Sequence, residues 1–113
     1  MATKDAVLVS ALHGTAWRYA VEERALDASI ADLREIAGGR NDILAEAAGL
    51  TVGSWFARPQ MHTGVELMVA GMLIMAGDGL DYDLLAHWAQ VGFERGIEGR
   101  GSLHGPALGN GIN

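Results

Sequence analysis

The chain contains no cysteine, and this absence excludes a disulfide framework, a thiolate zinc site and a cysteine nucleophile. Basic residues are also few: 8 Lys and Arg stand against 14 Asp and Glu, giving a formal net charge of −6. They are dispersed along the chain rather than clustered. Because nucleic-acid affinity depends on cations that displace counterions, this balance disfavours a partner held through phosphates.

Long apolar runs are absent as well. The most apolar uncharged stretch, residues 67–77, is well short of the roughly 20 residues that span a bilayer, and no secretory signal pattern follows the N-terminus. We therefore expect no membrane association and, with no cysteine, a cytoplasmic location. The 113 residues, 50% hydrophobic and 19% charged, suit a single domain that buries a core.

Periodicity and capping residues predict the first three helices. Residues 15–26 narrowly favour a helix, and a hairpin within residues 6–21 is the alternative. Ser29 is expected to cap a second helix that stops at Gly38 and Gly39. Asn41 or Asp42 is expected to cap a third, which Pro59 ends near Arg58. Whether Gly49 breaks this third helix is open.

Residues 65–76 are apolar nearly all round, which is typical of a central buried helix or of one that a partner covers. His62 or Thr63 is expected to open this helix, and the turn at residues 77–79 to end it. Asp81 is expected to cap the last helix, with Gly96 as its stop. The Gly-rich remainder predicts a flexible tail.

These elements predict an all-α fold: a compact bundle of four to five short helices with a central apolar helix and a flexible Gly-rich C-terminal tail. The predicted organisation is an N-terminal arm over residues 1–14, a helical domain over 15–96 and a tail over 97–113. His62 and Glu66 have a spacing that could place two metal ligands on one helical face, but a zinc site needs more ligands. We expect no catalytic, cofactor-binding or metal site, and no enzyme.

Residues 44–55 read LAEAAGLTVGSW and resemble the helix, Gly turn and helix at the core of helix-turn-helix regulators. The resemblance implies a second helix in the DNA major groove, with Thr51, Ser54 and Arg58 as candidate contacts. A DNA-binding regulator that uses residues 44–58 is therefore the alternative function.

Several segments along the chain carry a broader resemblance. These segments are residues 33–40 (LREIAGGR), 53–59 (GSWFARP), His62, 66–67, 70–74 (AGMLI) and 81–82. Together they look like small, uncharacterised helical proteins of actinobacterial genomes and their phages or mobile elements. The resemblance implies a helical fold and a bacterial or phage setting, and it transfers no activity.

A surplus of Met and aromatic residues near the most apolar segment indicates a binding surface, although each residue alone is more typical of a core. The candidate interface residues are Trp55, Phe56, Met61, Met68, Met72 and Trp88. The predicted function is a non-enzymatic small helical protein–protein interaction module. Its partner is itself, in a homo-oligomer, or another protein.

Overall fold

A computed structural model of the protein describes residues 3–61 and 64–104. The helices are α1 (Lys4–Val21), α2 (Leu26–Ala37), α3 (Asn41–Ala57), α4 (Gly64–Ala76) and α5 (Tyr82–His104), with a 3₁₀ turn at Pro59–Met61 between α3 and α4. No strand occurs in these two ranges. The predicted all-α bundle is therefore confirmed, and the hairpin alternative for residues 6–21 is wrong.

Helix α1 begins at Lys4 and not at Thr15, because Thr3 supplies an N-terminal cap: its Oγ1 accepts a hydrogen bond of 3.0 Å from the Ala6 N–H. The residues assigned to an N-terminal arm thus form the first half of α1 from Lys4 onward. A helical stripe faces the core: Val9, Leu12, Ala16, Tyr19 and Ala20. The apolar residues before position 15 belong to this stripe, so the arm contributes to the core.

Helix α2 begins at Leu26, so the prediction that Ser29 caps it is wrong. Ser29 lies inside the helix, fully buried, and its Oγ donates a 2.9 Å hydrogen bond to the Ala25 carbonyl. Because this hydroxyl donates a hydrogen bond to a carbonyl of the preceding helical turn, its burial costs little free energy. The end of α2 is as predicted, with Gly38 and Gly39 at φ 61° and 79°.

Helix α3 begins at Asn41, after Arg40, so neither Asn41 nor Asp42 is its cap. Asn41 instead joins α3 to the turn after α4, where its Nδ2 donates a 2.9 Å hydrogen bond to the Asp78 carbonyl. The helix continues through Gly49 and ends at Ala57, before Pro59. The predicted end is confirmed, and the turn that the helix-turn-helix resemblance implies is absent from residues 44–55.

The central helix is α3, and the prediction that residues 65–76 occupy the centre is wrong. Helix α3 packs against α1, α2, α4 and α5. Its buried residues are Ile43, Leu44, Ala45, Ala47, Ala48, Gly49, Thr51, Gly53 and Ala57. Most of these residues are small, which lets neighbouring helices approach on every side. Helix α4 is more apolar, but only one of its sides is buried.

Helix α5 runs past Gly96 to His104, so Gly96 is not a stop. The predicted start is confirmed, because Asp81 Oδ1 accepts hydrogen bonds from the N–H groups of Asp83 (2.8 Å) and Leu84 (3.3 Å). Of the predicted tail, residues 97–104 continue α5 and residues 105–113 lie outside the described part of the chain. The turn at residues 77–79 ends α4 as predicted, with Gly79 at φ 76°.

Helix α5 continues past Gly96 because its glycines lie against α3. They allow the two helices to pack closely, and they do not end the helix. A Cβ at Gly92 would lie 2.5 Å from the Leu50 carbonyl oxygen, and one at Gly96 would lie 2.6 Å from Ala57 Cβ. A Cβ at Gly49 would likewise lie 2.6 Å from Trp88 Cβ. Position 49 is thus beside 88 and position 57 beside 96, so the two helices run parallel. Within the described residues, α5 packs against α3 alone.

Candidate interaction surfaces

The six predicted interface residues are spread over more than one surface. Phe56 on α3 and Met68 on α4 are exposed, at 62% and 52%, and they line different hollows. Trp55 and Trp88 are partly buried, and Met72 is 2% exposed and faces the core. The side chain of Met61 lies outside the described part. The prediction of one Trp and Met surface stays a prediction, with Phe56 and Met68 as its accessible members.

The outer side of α4 carries the α4 stripe, which we define as Leu67, Met68, Gly71, Ile74 and Met75. The four large side chains are 48%, 52%, 38% and 47% exposed, in chain order. At 3.6 residues per turn, all four lie within about 60° of Gly71 around the helix axis. No atom of the described residues lies within 4 Å of a Cβ built at Gly71, so they leave the middle of the stripe open.

No charge lies on this stripe. The one charged residue of α4, Glu66, is on the opposite side and is 6% exposed. Beside Met68 the surface continues into a hollow of about 480 Å³, lined in part by Tyr19 and Leu26 and also by the charged residues Glu23 and Arg24. Leu26 is itself 47% exposed. The sequence marked the whole segment as apolar but assigned Leu67, Ile74 and Met75 to no surface.

A second apolar groove of about 460 Å³ lies between the parallel helices α3 and α5. Its lining residues are Val52, Gly53, Phe56, Ala86, Ala89, Gln90 and Phe93. Phe93 is 37% exposed and faces the same groove as Phe56. The sequence marks Phe56 as an interface candidate but gives no signal for Phe93, because only the glycine-mediated approach of the two helices brings both residues to one groove.

A trough runs along α3 between α1 and α5, two helices that pack on α3 and not on each other. One end, of about 350 Å³, is lined by Ala6, Val9, Ser10, His13, Glu46, Ala47, Leu50 and Arg95. The other end, of about 250 Å³, is lined by Leu50, Ser54, Arg58, Gly92, Arg95 and Gly96. Burial raises the pKa of Glu46, while the positive charge of Arg95 acts against this rise.

The three candidate DNA contacts differ in accessibility. Thr51 is 3% exposed, and its Oγ1 donates a 2.8 Å hydrogen bond to the Ala47 carbonyl, so it faces the interior. Ser54 and Arg58 are partly buried and line the trough. DNA binding through these residues stays a prediction of the sequence, now without the turn that would present a recognition helix.

In the described ranges no three His, Asp or Glu side chains are grouped so that they could hold a metal ion. His62, one member of the weak metal pair considered above, lies outside those ranges. None of the helices there combines the length and the apolar character needed to cross a membrane.

Comparison of the chain with protein-family models, with curated proteins and with solved structures gives no match.

Proposed function

We propose that this protein is a small, non-enzymatic helical interaction module that self-associates through the α4 stripe, in a cytoplasmic setting. The observation that supports the proposal is the stripe itself: four large apolar side chains at 38–52% exposure on a face without charge. Contiguous apolar surface of this kind marks interaction sites in proteins that do not aggregate.

The layout of the stripe is self-complementary. Leu67 and Met75 are each four residues from Gly71, and Met68 and Ile74 are each three residues from it. A two-fold axis that passes between the Gly71 residues of two facing, antiparallel α4 helices therefore sets Leu67 opposite Ile74 of the second copy. It also sets Met68 opposite Met75 of that copy. Such an axis produces the isologous contact that closes a symmetric dimer, and the open position at Gly71 lets the two helices approach closely.

Charge also favours a second copy at this face. Each chain carries a net charge of −6, so two copies repel one another wherever their acidic side chains meet. The α4 stripe itself carries no charged side chain, because Glu66 is 6% exposed, and the charged residues at its edge, Glu23 and Arg24, are of opposite sign. The centre of the contact would therefore bury no like charges.

The area available is sufficient for a specific dimer. Leu26 and the four large stripe residues together expose about 450 Å² per copy, since a half-exposed aliphatic side chain presents roughly 90 Å². Homodimer interfaces are about 65% apolar, so the complete contact would bury about 1,400 Å² over both copies, within the range of specific interfaces.

Size-exclusion chromatography with light scattering over a wide range of concentrations tests the proposal. We expect a species of twice the 11.9 kDa chain mass at high concentration. We expect Ile74→Glu to convert it to a monomer, since two carboxylates would then lie near the two-fold axis. Phe56→Glu is the control, because it places a carboxylate at an exposed apolar residue of the other groove, away from the α4 stripe.

Each outcome has a distinct meaning. A wild-type chain that is monomeric at every concentration would refute self-association. A dimer that Ile74→Glu leaves intact and Phe56→Glu dissociates would reject the α4 stripe and assign self-association to the α3–α5 groove. Retention of a DNA fragment in a gel shift at low salt, where phosphate contacts are strongest, would favour the regulator instead.

A further inference from the structure

Two arginines share the smaller end of the trough. Arg58 follows the last turn of α3, and Arg95 lies on α5. Both line a hollow of about 250 Å³ together with Ser54 and Leu50 of α3. Among the described residues, no acidic side chain lines this hollow. The chain has only 8 basic residues against 14 acidic ones, so two guanidinium groups in one concave site are a marked local concentration of positive charge.

The other arginines with described contacts have partners that account for their charge. Arg24 pairs with Asp32 at 2.8 Å, and Arg40 pairs with Asp42 at 2.8 Å. Arg34 donates hydrogen bonds to the last carbonyls of α4. Within the described ranges no carboxylate forms an ion pair with Arg58 or Arg95.

Arg58 also has a donor that the protein leaves unsatisfied. Its Nε is buried and has no hydrogen-bond partner among the described residues. A buried donor without a partner is rare in native proteins, because desolvation of the N–H is then not compensated. A ligand in the hollow would reach this Nε only if the Arg58 side chain rearranged.

We propose that this hollow binds a small oxyanion, a carboxylate or phosphate group held between Arg58 and Arg95. Guanidinium groups present parallel N–H donors that match pairs of oxygen atoms, so both ligand classes suit them. Gly92 and Gly96 also line the hollow, at the place where α5 packs closely against α3. A hollow of about 250 Å³ limits the bound group to a small one.

Glu46 sets the relative contribution of the two arginines. Its carboxylate lines the same trough and interacts electrostatically with Arg95. The bound oxyanion therefore competes with Glu46 for the charge of Arg95, whereas Arg58 has no such competitor in the part of the trough that the structure describes. This predicts that Glu46→Gln tightens binding.

Titration of the isotope-labelled full chain by NMR, at constant ionic strength maintained with chloride, tests the site. The probes are inorganic phosphate in one series and acetate in the other. We expect saturable shifts of the Gly92 and Gly96 amides with a Kd of about 1 mM for at least one probe. Arg95→Gln should weaken binding at least tenfold, and Glu46→Gln should strengthen it.

Arg18→Gln is the control, because Arg18 is exposed on α1 and lines neither end of the trough. It removes the same charge and should leave the Kd unchanged. Arg58→Lys keeps the charge at a partly buried position and should also weaken binding, since it loses the paired donors.

Saturation by phosphate, by acetate or by both supports the proposal. Saturation by neither, or an equal Kd for wild type and Arg95→Gln, overturns it. The inference does not depend on self-association.

Discussion

Replacement of Gly53 by alanine is the most direct test of how α3 and α5 meet. A Cβ at this position would meet the Ala89 carbonyl oxygen and would lie 2.6 Å from the Phe93 amide nitrogen. Both obstacles are backbone atoms of α5, so the conflict cannot be relieved by a change of side-chain rotamer. The whole of α5 must move away from α3, and contacts on either side of the new methyl group are lost.

The expected loss follows from two opposing effects. Excess volume in a packed contact destabilises a protein by about 1–3 kcal/mol. Alanine in a helix interior is favoured over glycine by about 0.5–1 kcal/mol, which offsets part of that loss. We expect Gly53→Ala to lower the free energy of unfolding by about 1–2 kcal/mol. Gly14→Ala is the matched control: Gly14 lies in the interior of α1 with nothing within 4 Å of a built Cβ.

Urea unfolding followed by circular dichroism measures both variants. For Gly14→Ala we expect a gain of about 0.5–1 kcal/mol, because only the helix propensity changes. The two variants should therefore move the urea midpoint in opposite directions. A Gly53→Ala protein as stable as Gly14→Ala would refute the close parallel packing of α3 and α5.

Two further predictions concern charged groups. Arg34 donates hydrogen bonds of 2.9 and 3.2 Å to the carbonyls of Ala76 and Met75. Arg34→Ala should therefore lower the free energy of unfolding, measured in urea, by about 1 kcal/mol. An unchanged urea midpoint would contradict this contact. Burial raises the pKa of Glu46, so its charged form destabilises the fold above that pKa, and stability recovers as the pH falls through it. Glu46→Gln should therefore raise the unfolding free energy at neutral pH and leave it unchanged in acid, and an equal gain at both pH values would disprove the cause.

Local signals in the sequence were sufficient at some helix ends, although they misplaced the N-terminal caps of α2 and α3. Asp81 caps α5 and Gly38 ends α2 because a cap depends only on residues within one turn. The role of Gly96 could not be predicted in this way. A glycine that ends a helix cannot be told from neighbouring residues apart from a glycine that lets another helix pack closely. Gly96 is of the second kind, because α3 lies against it.

The position of α4 shows a second limit. Hydropathy ranks α4 as the most apolar helix. It does not show which helix has side chains small enough for other helices to pack around it. That property belongs to α3, whose Ala and Gly residues admit neighbours on all sides. The arginine hollow has no sequence signal, since Arg58 and Arg95 come together only when the helices pack.

The attachment of α5 has a consequence for the order of unfolding. Because α3 is the only helix that α5 packs against within the described residues, we expect α5 to open as a unit separate from the α1–α4 core. Amide protons of α5 should exchange with solvent through openings that leave the α1–α4 core intact, whereas those of α3 should require opening of both units. The protection of α3 should therefore report the global stability, with α5 detaching first.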